Sequence, residues 1–412
     1  MNISSFIANR IAFNQQRSFS RFIIRLSIIA TIISVAVMII TLAFANGFQQ
    51  KVSEKVFSFW GHIRLQEAMP YQSVLKEELP ITANDTVVRE IEKNPEVKSI
   101  HPFATRYAIL KTTDDLEGVM VKGLDSSYDF NHLKDFIIDG GRPPKFNDST
   151  YSREIMISKR TADAMKLKVG DRVFIYFIRP DRSLRPDRLT ITGLFKTGIE
   201  EYDKTFALGD IKLIRRLNDW QPNQVGGYEI FLKDYKNIDA VSEQIYNLPN
   251  LPPTWTAQSI QRITPNIFDW LNMQDVTRNV LMGIMVVVAI INLITCLIIL
   301  VLERMRMVGI LKAVGASDWQ VQKIFLRHSL IITLAGILGG ALFALGLLWL
   351  QVKTGFIKLN EEAYYLSEAA MKINMSEVLI ICTATFIVCL LVLMIPTYIV
   401  KKVQPVKAIH FR

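Results

Sequence analysis

The chain has 412 residues, 50% of them hydrophobic, and carries 48 Lys and Arg against 38 Asp and Glu, a net charge of +10. This hydrophobic fraction excludes a disordered chain, and the basic excess indicates either a nucleic-acid partner or a membrane. Residues 26–44, 280–302, 330–350 and 378–400 contain no Asp, Glu, Lys or Arg. Each run is about as long as the ~20 residues that cross a bilayer core, which indicates an integral membrane protein.

The N-terminal region, residues 1–25, has four arginines and no acidic residue. Its apolar residues Ile3, Phe6, Ile7 and Ile11 recur at helical spacing, which predicts a helix lying along the inner leaflet. The first transmembrane helix is predicted to follow at residues 26–46.

Basic residues beside the spans predict the orientation of the chain. Residues 1–25, 303–329 and 401–412 together hold 13 basic and 2 acidic residues, whereas the rest of the chain holds 35 basic and 36 acidic residues. The positive-inside rule therefore places these three regions and both termini in the cytoplasm. Residues 47–279 and 351–377 are then external. Nucleic-acid binding is excluded, because the large external region is nearly neutral.

Residues 47–279 are predicted to form a periplasmic α+β domain, in two lobes because the region is longer than a typical single core. The predicted fold class is a membrane protein with four transmembrane α-helices and this large domain inserted between the first and second spans. The predicted helices are 87–93, 159–167, 210–217 and 240–246. The predicted strands are 62–66, 99–111, 118–122, 154–157, 172–178, 188–194 and 228–232.

No residue pattern in the chain predicts catalysis. The five histidines are far apart and show no metal-ligand spacing with cysteine. Cys296, Cys382 and Cys389 all lie inside the predicted spans, so no disulfide framework is predicted. There is no nucleophile elbow and no phosphate-binding lysine motif. We therefore expect a chain that is not an enzyme and that binds no metal or cofactor itself.

A charged stretch at 179–188 separates two strand patterns. It combines four arginines with two aspartates and two prolines, which predicts a projecting hairpin or loop. Two interpretations stay open: a solvated hairpin tip, or a docking loop for a soluble partner. The candidate docking residues are Arg179, Pro180, Arg182, Arg185 and Pro186.

The loop between the second and third spans, within residues 303–329, carries the most specific pattern. It predicts a short helix that ends at Gly315, followed by a second helix with Ser317 as N-cap and Gln320 completing a capping box. Such a segment is either an ordinary connector or a lever for a cytoplasmic motor. The candidate coupling residues are Glu303, Arg304, Met307, Val308, Ile310, Leu311, Lys312, Gly315, Ala316 and Ser317.

The same segment resembles the coupling loop of ABC permeases in the FtsX/MacB/lipoprotein-releasing superfamily, with Glu303-Arg304, Ile310-Leu311-Lys312 and Gly315-Ala316-Ser317 at the matching positions. The chain looks most like the LolC/LolE branch of that superfamily. The further matches are Asn46-Gly47-Phe48, Gly193-Leu194-Phe195 with Gly198, Glu201-Tyr202-Asp203, Tyr364-Tyr365, Ile395-Pro396 and Gln404-Pro405-Val406.

The resemblance implies a non-catalytic permease in the cell inner membrane. A cytoplasmic ABC ATPase dimer would bind ATP and Mg, and a second permease subunit, identical or different, would complete the membrane part. The substrate would be an acylated lipoprotein, taken from the membrane lipids and passed to a periplasmic carrier. The 179–188 loop stands where one paralogue carries its chaperone-binding hook.

The resemblance also implies an apolar cavity between the outer halves of the first two spans. Its candidate residues, for which core or lipid-facing packing is the alternative, are Thr41, Ala45, Phe48, Phe268 and Leu271. Two other functions stay open: an FtsX-like regulator of a cell-wall hydrolase, and a MacB-like tripartite export permease.

Overall fold

The computed structural model describes residues 19–68, 79–138, 140–146, 150–178 and 184–401. The described chain separates into two compact units. A membrane unit contains the residues up to Gln49, Trp270–Lys358 and the residues from Glu368 onward. An α+β unit contains Gln50–Asp269 together with Leu359–Ser367.

The helices and strands alternate irregularly along the chain. In order they are α1 Phe19–Trp60, β1 Ile63–Glu67, β2 Ile81–Thr82, α2 Asp85–Glu92, β3 Val97–Lys111, β4 Leu116–Leu124, β5 Glu154–Ser158, α3 Lys159–Ala164, β6 Arg172–Ile178, β7 Leu184–Phe195, α4 Glu200–Thr205, β8 Phe206–Asp210, α5 Ile211–Leu217, β9 Gln224–Val225, β10 Gly227–Leu232, α6 Ile238–Tyr246, β11 Trp255–Ser259, α7 Ile260–Ile263, α8 Pro265–Glu303, α9 Met305–Ala313, α10 Asp318–Thr354, α11 Glu361–Tyr364 and α12 Met375–Lys401.

Within the described part of the chain, four helices are long and apolar enough to cross a membrane: α1, α8, α10 and α12. Each contains one of the predicted charge-free segments. All four are longer than those segments, and two of them extend into residues 47–279: α1 continues to Trp60, and α8 already begins at Pro265. Both ends of the region 47–279 are therefore helical, which the charge-free runs did not indicate.

The strands of the α+β unit form one nine-stranded sheet in the order β11-β1-β10-β3-β4-β8-β5-β7-β6, and β2 pairs separately with β9. An additional antiparallel pairing joins β3 to β6, through residues 108–111 and 174–177. Six strands, from β3 through β6, therefore close into a ring, whereas β11, β1 and β10 continue the sheet beyond it.

Strand β3 belongs to both parts of the sheet. Its residues 97–103 pair with β10, and its residues 104–111 pair with β4. The predicted strands are confirmed, with shifted ends. The prediction of a helix over 159–167 was too long, because α3 ends at Ala164 and Lys166 takes a left-handed φ of 56°.

The membrane unit contains close contacts between helices. A Cβ added to Gly336 would lie 2.6 Å from the Thr31 side chain, and one added to Gly340 would lie 2.8 Å from the Ile32 carbonyl. Small residues let helix backbones approach in this way inside a membrane. The Asn292 amide of α8 donates to the Ser27 carbonyl of α1 at 3.1 Å, which is a hydrogen bond between two of the long helices.

A buried ion pair lies at the end of α1 within the α+β unit. Lys122 Nζ is 2.7 Å from Glu229 Oε1, and both side chains are almost fully buried. The same ammonium donates to the carbonyl of Phe59 in the last turn of α1 and lies 4.7 Å from the ring of Trp60. Strands β4 and β10 thus hold the terminal carbonyl end of α1, where a cation is favoured.

Candidate coupling segment and outer junction

The C-terminal end of helix α9 is stabilised by two backbone hydrogen bonds. The Gly315 N–H donates to the Lys312 carbonyl at 3.0 Å and the Ala316 N–H donates to the Leu311 carbonyl at 2.9 Å. This pair of bonds is a Schellman motif, and it requires the left-handed φ of 97° that Gly315 adopts. The sharp stop of α9 at a glycine follows from this requirement.

Helix α10 begins directly after this turn. The Ser317 hydroxyl accepts from the Gln320 N–H, and the Gln320 side chain accepts from the Ser317 N–H, which is the predicted capping box. Lys312 Nζ forms an ion pair of 2.9 Å with Asp318, and the Lys312 side chain is 9% exposed. These contacts lock α9 to the first turn of α10.

The coupling candidates divide into inward and outward residues. Val308 is fully buried in a cluster with Leu300 and Phe325, and Met307, Leu311 and Ala316 pack against that cluster. The outward residues are Glu303, Ile310, Gly315 and Ser317, while Arg304 and Lys312 are partly buried.

The outward face is apolar. Ile310 is 57% exposed and Val314 is 84% exposed, and Trp319 at the start of α10 is also exposed. Val314 and Trp319 were not among the coupling candidates. Their apolar side chains, close in sequence to Ile310, could have identified them as part of the same exposed face.

A second arrangement, which we call the outer junction, lies within the α+β unit and consists of Lys55, Lys196, Gly198, Asp203, Glu361 and Tyr365. Asp203 accepts from the Thr197 N–H, the Thr197 hydroxyl and the Gly198 N–H at 2.8, 2.9 and 3.1 Å. Gly198 has a left-handed φ of 75°. The buried Asp203 carboxylate thus fixes the turn that follows β7.

Lysines 55 and 196 complete the outer junction. The Lys55 ammonium donates to the Tyr365 carbonyl at 2.7 Å, and Lys196 forms an ion pair with Glu361. A Cβ added to Gly198 would lie 2.5 Å from Glu361 Oε1 and 2.6 Å from Lys55 Nζ. The sequence motifs at 193–203 and 364–365 therefore meet in space, which their separation along the chain did not reveal.

The proposed cavity residues are mostly buried within this chain. Phe48 packs edge-on against Trp270 with ring centroids 5.4 Å apart, and Phe268 stacks on Phe57 at 5.6 Å. Leu271 is 2% exposed. Thr41 and Ala45 are half-buried.

The proposed docking loop is only partly described. Residues Arg179, Pro180 and Arg182 lie outside the described residues. Arg185 and Pro186 lie inside strand β7, paired with Phe177 and Tyr176 of β6. The predicted hairpin is thus formed by β6 and β7, and two of the candidate residues belong to its strand and not to its turn.

Among the described residues, no group of three or more His, Cys, Asp or Glu side chains is placed to hold a metal ion. The predicted inner-leaflet helix falls largely outside the described part of the chain, because residues 1–18 are not described; α1 begins at Phe19. Residues 402–412 of the predicted tail also lie outside it.

Comparison with known proteins assigns both units. The model of the MacB-like periplasmic core domain matches residues 26–248, and that of the FtsX-like permease C-terminal region matches residues 279–405.

Three curated relatives are similar to this chain over almost their whole length. The lipoprotein-releasing system transmembrane protein LolC of Xylella fastidiosa is 21% identical, covering 96% of both chains. LolC of Haemophilus influenzae is 24% identical over 95% of this chain and 94% of its own. LolE of Haemophilus influenzae is 21% identical over 99% of both.

The MacB-like model alone spans more than half of the chain, and the FtsX-like model covers the second, third and fourth long helices with the segment at 303–317. The chain therefore belongs to the FtsX/MacB superfamily of ABC transporter permeases.

Proposed function

We propose that this protein is the permease subunit of an ATP-driven complex that releases lipoproteins from the outer leaflet of the inner membrane to a periplasmic carrier. The relatives named as lipoprotein-releasing proteins support this assignment, because they match nearly the whole chain. In this proposal the α+β domain lies in the periplasm between the first two spans, and both termini lie in the cytoplasm. A separate ATPase dimer binds ATP and Mg, and a second permease completes the complex.

The two-sided helix α9 is the observation that carries the mechanism. Its inward side chain Val308 is buried in the helix cluster, and its outward side chains Ile310 and Val314 are exposed. An exposed apolar face beside a membrane bundle is typical of a protein–protein contact. Pressure on this face from the ATPases would pass through Val308 into α8 and α10.

The mechanism does not require a polar path through the membrane. The charge-free segments of the predicted spans contain no Asp, Glu, Lys, Arg or His, so no such residue marks an ion or proton path in them. We propose that ATP-driven tilting of the helices moves the α+β domain, which displaces a lipoprotein already bound at the outer leaflet.

The test is release by a reconstituted complex. The permease, its ATPase, the second permease, an acylated lipoprotein and a soluble acceptor are placed in proteoliposomes, and ATP-dependent soluble transfer is measured. Transfer supports the proposal. Stimulation of a cell-wall hydrolase without any transfer would refute it in favour of a regulator.

One variant tests the coupling face separately. We expect Ile310→Asp to weaken ATPase binding and release together. Tyr246→Asp on α6 is the matched control, because Tyr246 is 58% exposed and Ile310 is 57% exposed. Normal ATPase binding by Ile310→Asp would contradict the assignment of this face.

A further inference from the structure

The short segment 359–367 between α10 and α12 packs with the α+β unit, although the chain on both sides of it belongs to the membrane unit. It is a closed loop, since the Leu359 N–H donates to the Ser367 carbonyl at 2.9 Å. The adjacent residues Lys358 and Glu368 form an antiparallel bridge. The loop therefore stands on a narrow two-stranded neck.

The neck is fixed to α10 by one buried side chain. Gln351 is 3% exposed. Its amide donates to the carbonyls of Ile357 and Ala369 at 3.3 and 3.2 Å, and its oxygen accepts from the Ile357 N–H at 2.9 Å. One side chain therefore ties both strands of the neck to the C-terminal end of α10.

The loop is in turn fixed to the α+β unit through the outer junction. Glu361 pairs with Lys196 at the end of β7, and the Tyr365 carbonyl accepts from Lys55. The Tyr365 N–H donates to the Glu361 carbonyl at 2.8 Å, so both anchor points belong to one turn. The Gly198 turn, fixed by Asp203, presents a bare Cα against Glu361 and Lys55.

We propose that Gln351, Glu361, Lys196 and Lys55 form a second force-transmitting connection, which we call the strut. Through the strut, the third and fourth long helices move the α+β unit. This inference rests on the proposed function, in which α1 and α8 supply the first connection. The contacts of the strut stay formed throughout the cycle of ATP binding and hydrolysis. Its residues are positioning residues and do not touch the lipoprotein.

The first test breaks the strut. Glu361→Gln is expected to lower the lipoprotein released per ATP hydrolysed by about two- to fivefold, the range that partly exposed ion pairs span, while ATP hydrolysis is unchanged. The double variant Lys196→Gln with Glu361→Gln is expected to be no worse than either single variant, because both remove the same pair. Additive losses, or normal release by Glu361→Gln, would refute the strut.

A matched control removes an ion pair of similar exposure elsewhere. Arg142 and Glu154 are 2.6 Å apart, and their side chains are 45% and 25% exposed, against 52% and 26% for Lys196 and Glu361. Glu154→Gln in β5 is expected to leave release per ATP unchanged. An equal loss in this control would show that Glu361→Gln acts only through general destabilisation, and the strut would be abandoned.

The second test locks the strut. Cysteines at 196 and 361 are joined with a reductant-cleavable bis-thiosulfonate reagent whose length matches the two replaced side chains. Because the variant Lys196→Cys with Glu361→Cys lacks the ion pair, the strut predicts that the joined protein releases more lipoprotein per ATP than the same protein after reduction. Loss of release on joining, restored by reductant and absent in the single-cysteine variants, would show that the contact must open, which overturns the proposal.

A third measurement separates the strut from the proposed function. Hydrogen exchange of residues 196–203 is compared with and without ATP in the complex. The strut predicts an ATP-dependent change in the unmodified protein that Glu361→Gln reduces, whether or not lipoprotein is released. If the unmodified complex shows that change but no release, the proposed function fails and the strut stands; if Glu361→Gln leaves the change intact, the strut fails.

Discussion

Lys122 and Glu229 occupy strand positions that a sequence pattern assigns to solvent, yet both side chains are buried against the end of α1. Charges removed from water are tolerated only when paired, and loss of one partner leaves the other uncompensated. Removing either charge therefore lowers the free energy of unfolding, at the point where the first long helix joins two strands of the sheet.

We expect Lys122→Met to lower the free energy of unfolding by about 1.5–3 kcal/mol, the contribution of a hydrogen bond to a charged group, because the buried Glu229 carboxylate loses the ammonium 2.7 Å away. The midpoint of urea unfolding of the full chain in detergent measures this loss. The control Lys159→Met, at an exposed ion pair with Asp163, should change the midpoint little.

Two histidines make the α+β unit sensitive to acid. Burial lowers the pKa of His62 to about 3, aided by repulsion from His132 and Lys98. Burial also lowers the pKa of His132 to about 4, aided by repulsion from Lys98, His101 and Lys122. The Nδ1 atom of His62 also accepts from the Leu232 N–H at 3.2 Å, which requires the neutral ring. Both rings bind protons more weakly in the folded protein than in the unfolded chain.

Their stabilisation is therefore complete above the unfolded pKa of about 6.5 and is lost as the pH falls toward the folded values. Between pH 7 and pH 5 we expect a loss of roughly 2 kcal/mol per histidine in the free energy of unfolding. Urea titrations at the two pH values measure it. His132→Phe, which preserves the stacking on Phe231, should give a shallower dependence; an unchanged slope would contradict it.

At the scale of elements, the sequence was sufficient wherever a pattern is local. The spans follow from runs without charge, and the end of α9 follows from Gly315 and Ser317. Strand β8 was missed because Phe206–Asp210 contains Gly and Asp and does not alternate, although all five residues are buried. Strand β8 lies between β4, with which it is parallel, and β5, with which it is antiparallel. A strand buried on both faces shows no alternation of polar and apolar residues, so its sequence does not reveal it.

The closure of the ring and the outer junction were likewise beyond the sequence. The pairing of β3 with β6 joins two strands that other strands and a helix separate in the sequence, since β3 ends at Lys111 and β6 begins at Arg172. Glu361 and Lys196 are 165 positions apart, and neither carries a local signal for the other. The motif residues Gly198 and Asp203 were recognised by resemblance. The sequence did not show that their turn packs against Lys55, which binds the Tyr365 carbonyl.

Packing of α1 on α10 depends on two glycines, and we expect Gly340→Leu to disrupt it. A Cβ at Gly340 already lies 2.9 Å from Val35 and 2.8 Å from the Ile32 carbonyl, so a larger side chain must separate the helices. The melting midpoint in detergent should fall. Gly346→Leu is the control, since a Cβ there meets nothing within 4 Å; equal loss in both variants would contradict the contact.

For the whole molecule, the proposed orientation can be tested by labelling. Tyr246→Cys on the α+β unit and Val314→Cys after α9 are both exposed. We expect a membrane-impermeant maleimide to label intact spheroplasts at position 246 and to reach position 314 only after permeabilisation. Of the native cysteines, Cys296 and Cys389 are buried and Cys382 is partly buried, so background labelling should be low. The reverse pattern would invert the topology.

The closed ring of six strands determines how the α+β unit withstands a pull. Among the described strands of the large sheet, β11 is terminal and pairs with β1 alone. The ring strands have neighbours on both sides, so none of them can be unzipped from an edge one hydrogen bond at a time. Under a repeated pull through α8, the α+β unit would first lose the pairing of β11 with β1, because β11 is the last strand before α8 and has one neighbour. The closed ring would resist the same pull, because each of its strands would have to slide past two neighbours at once.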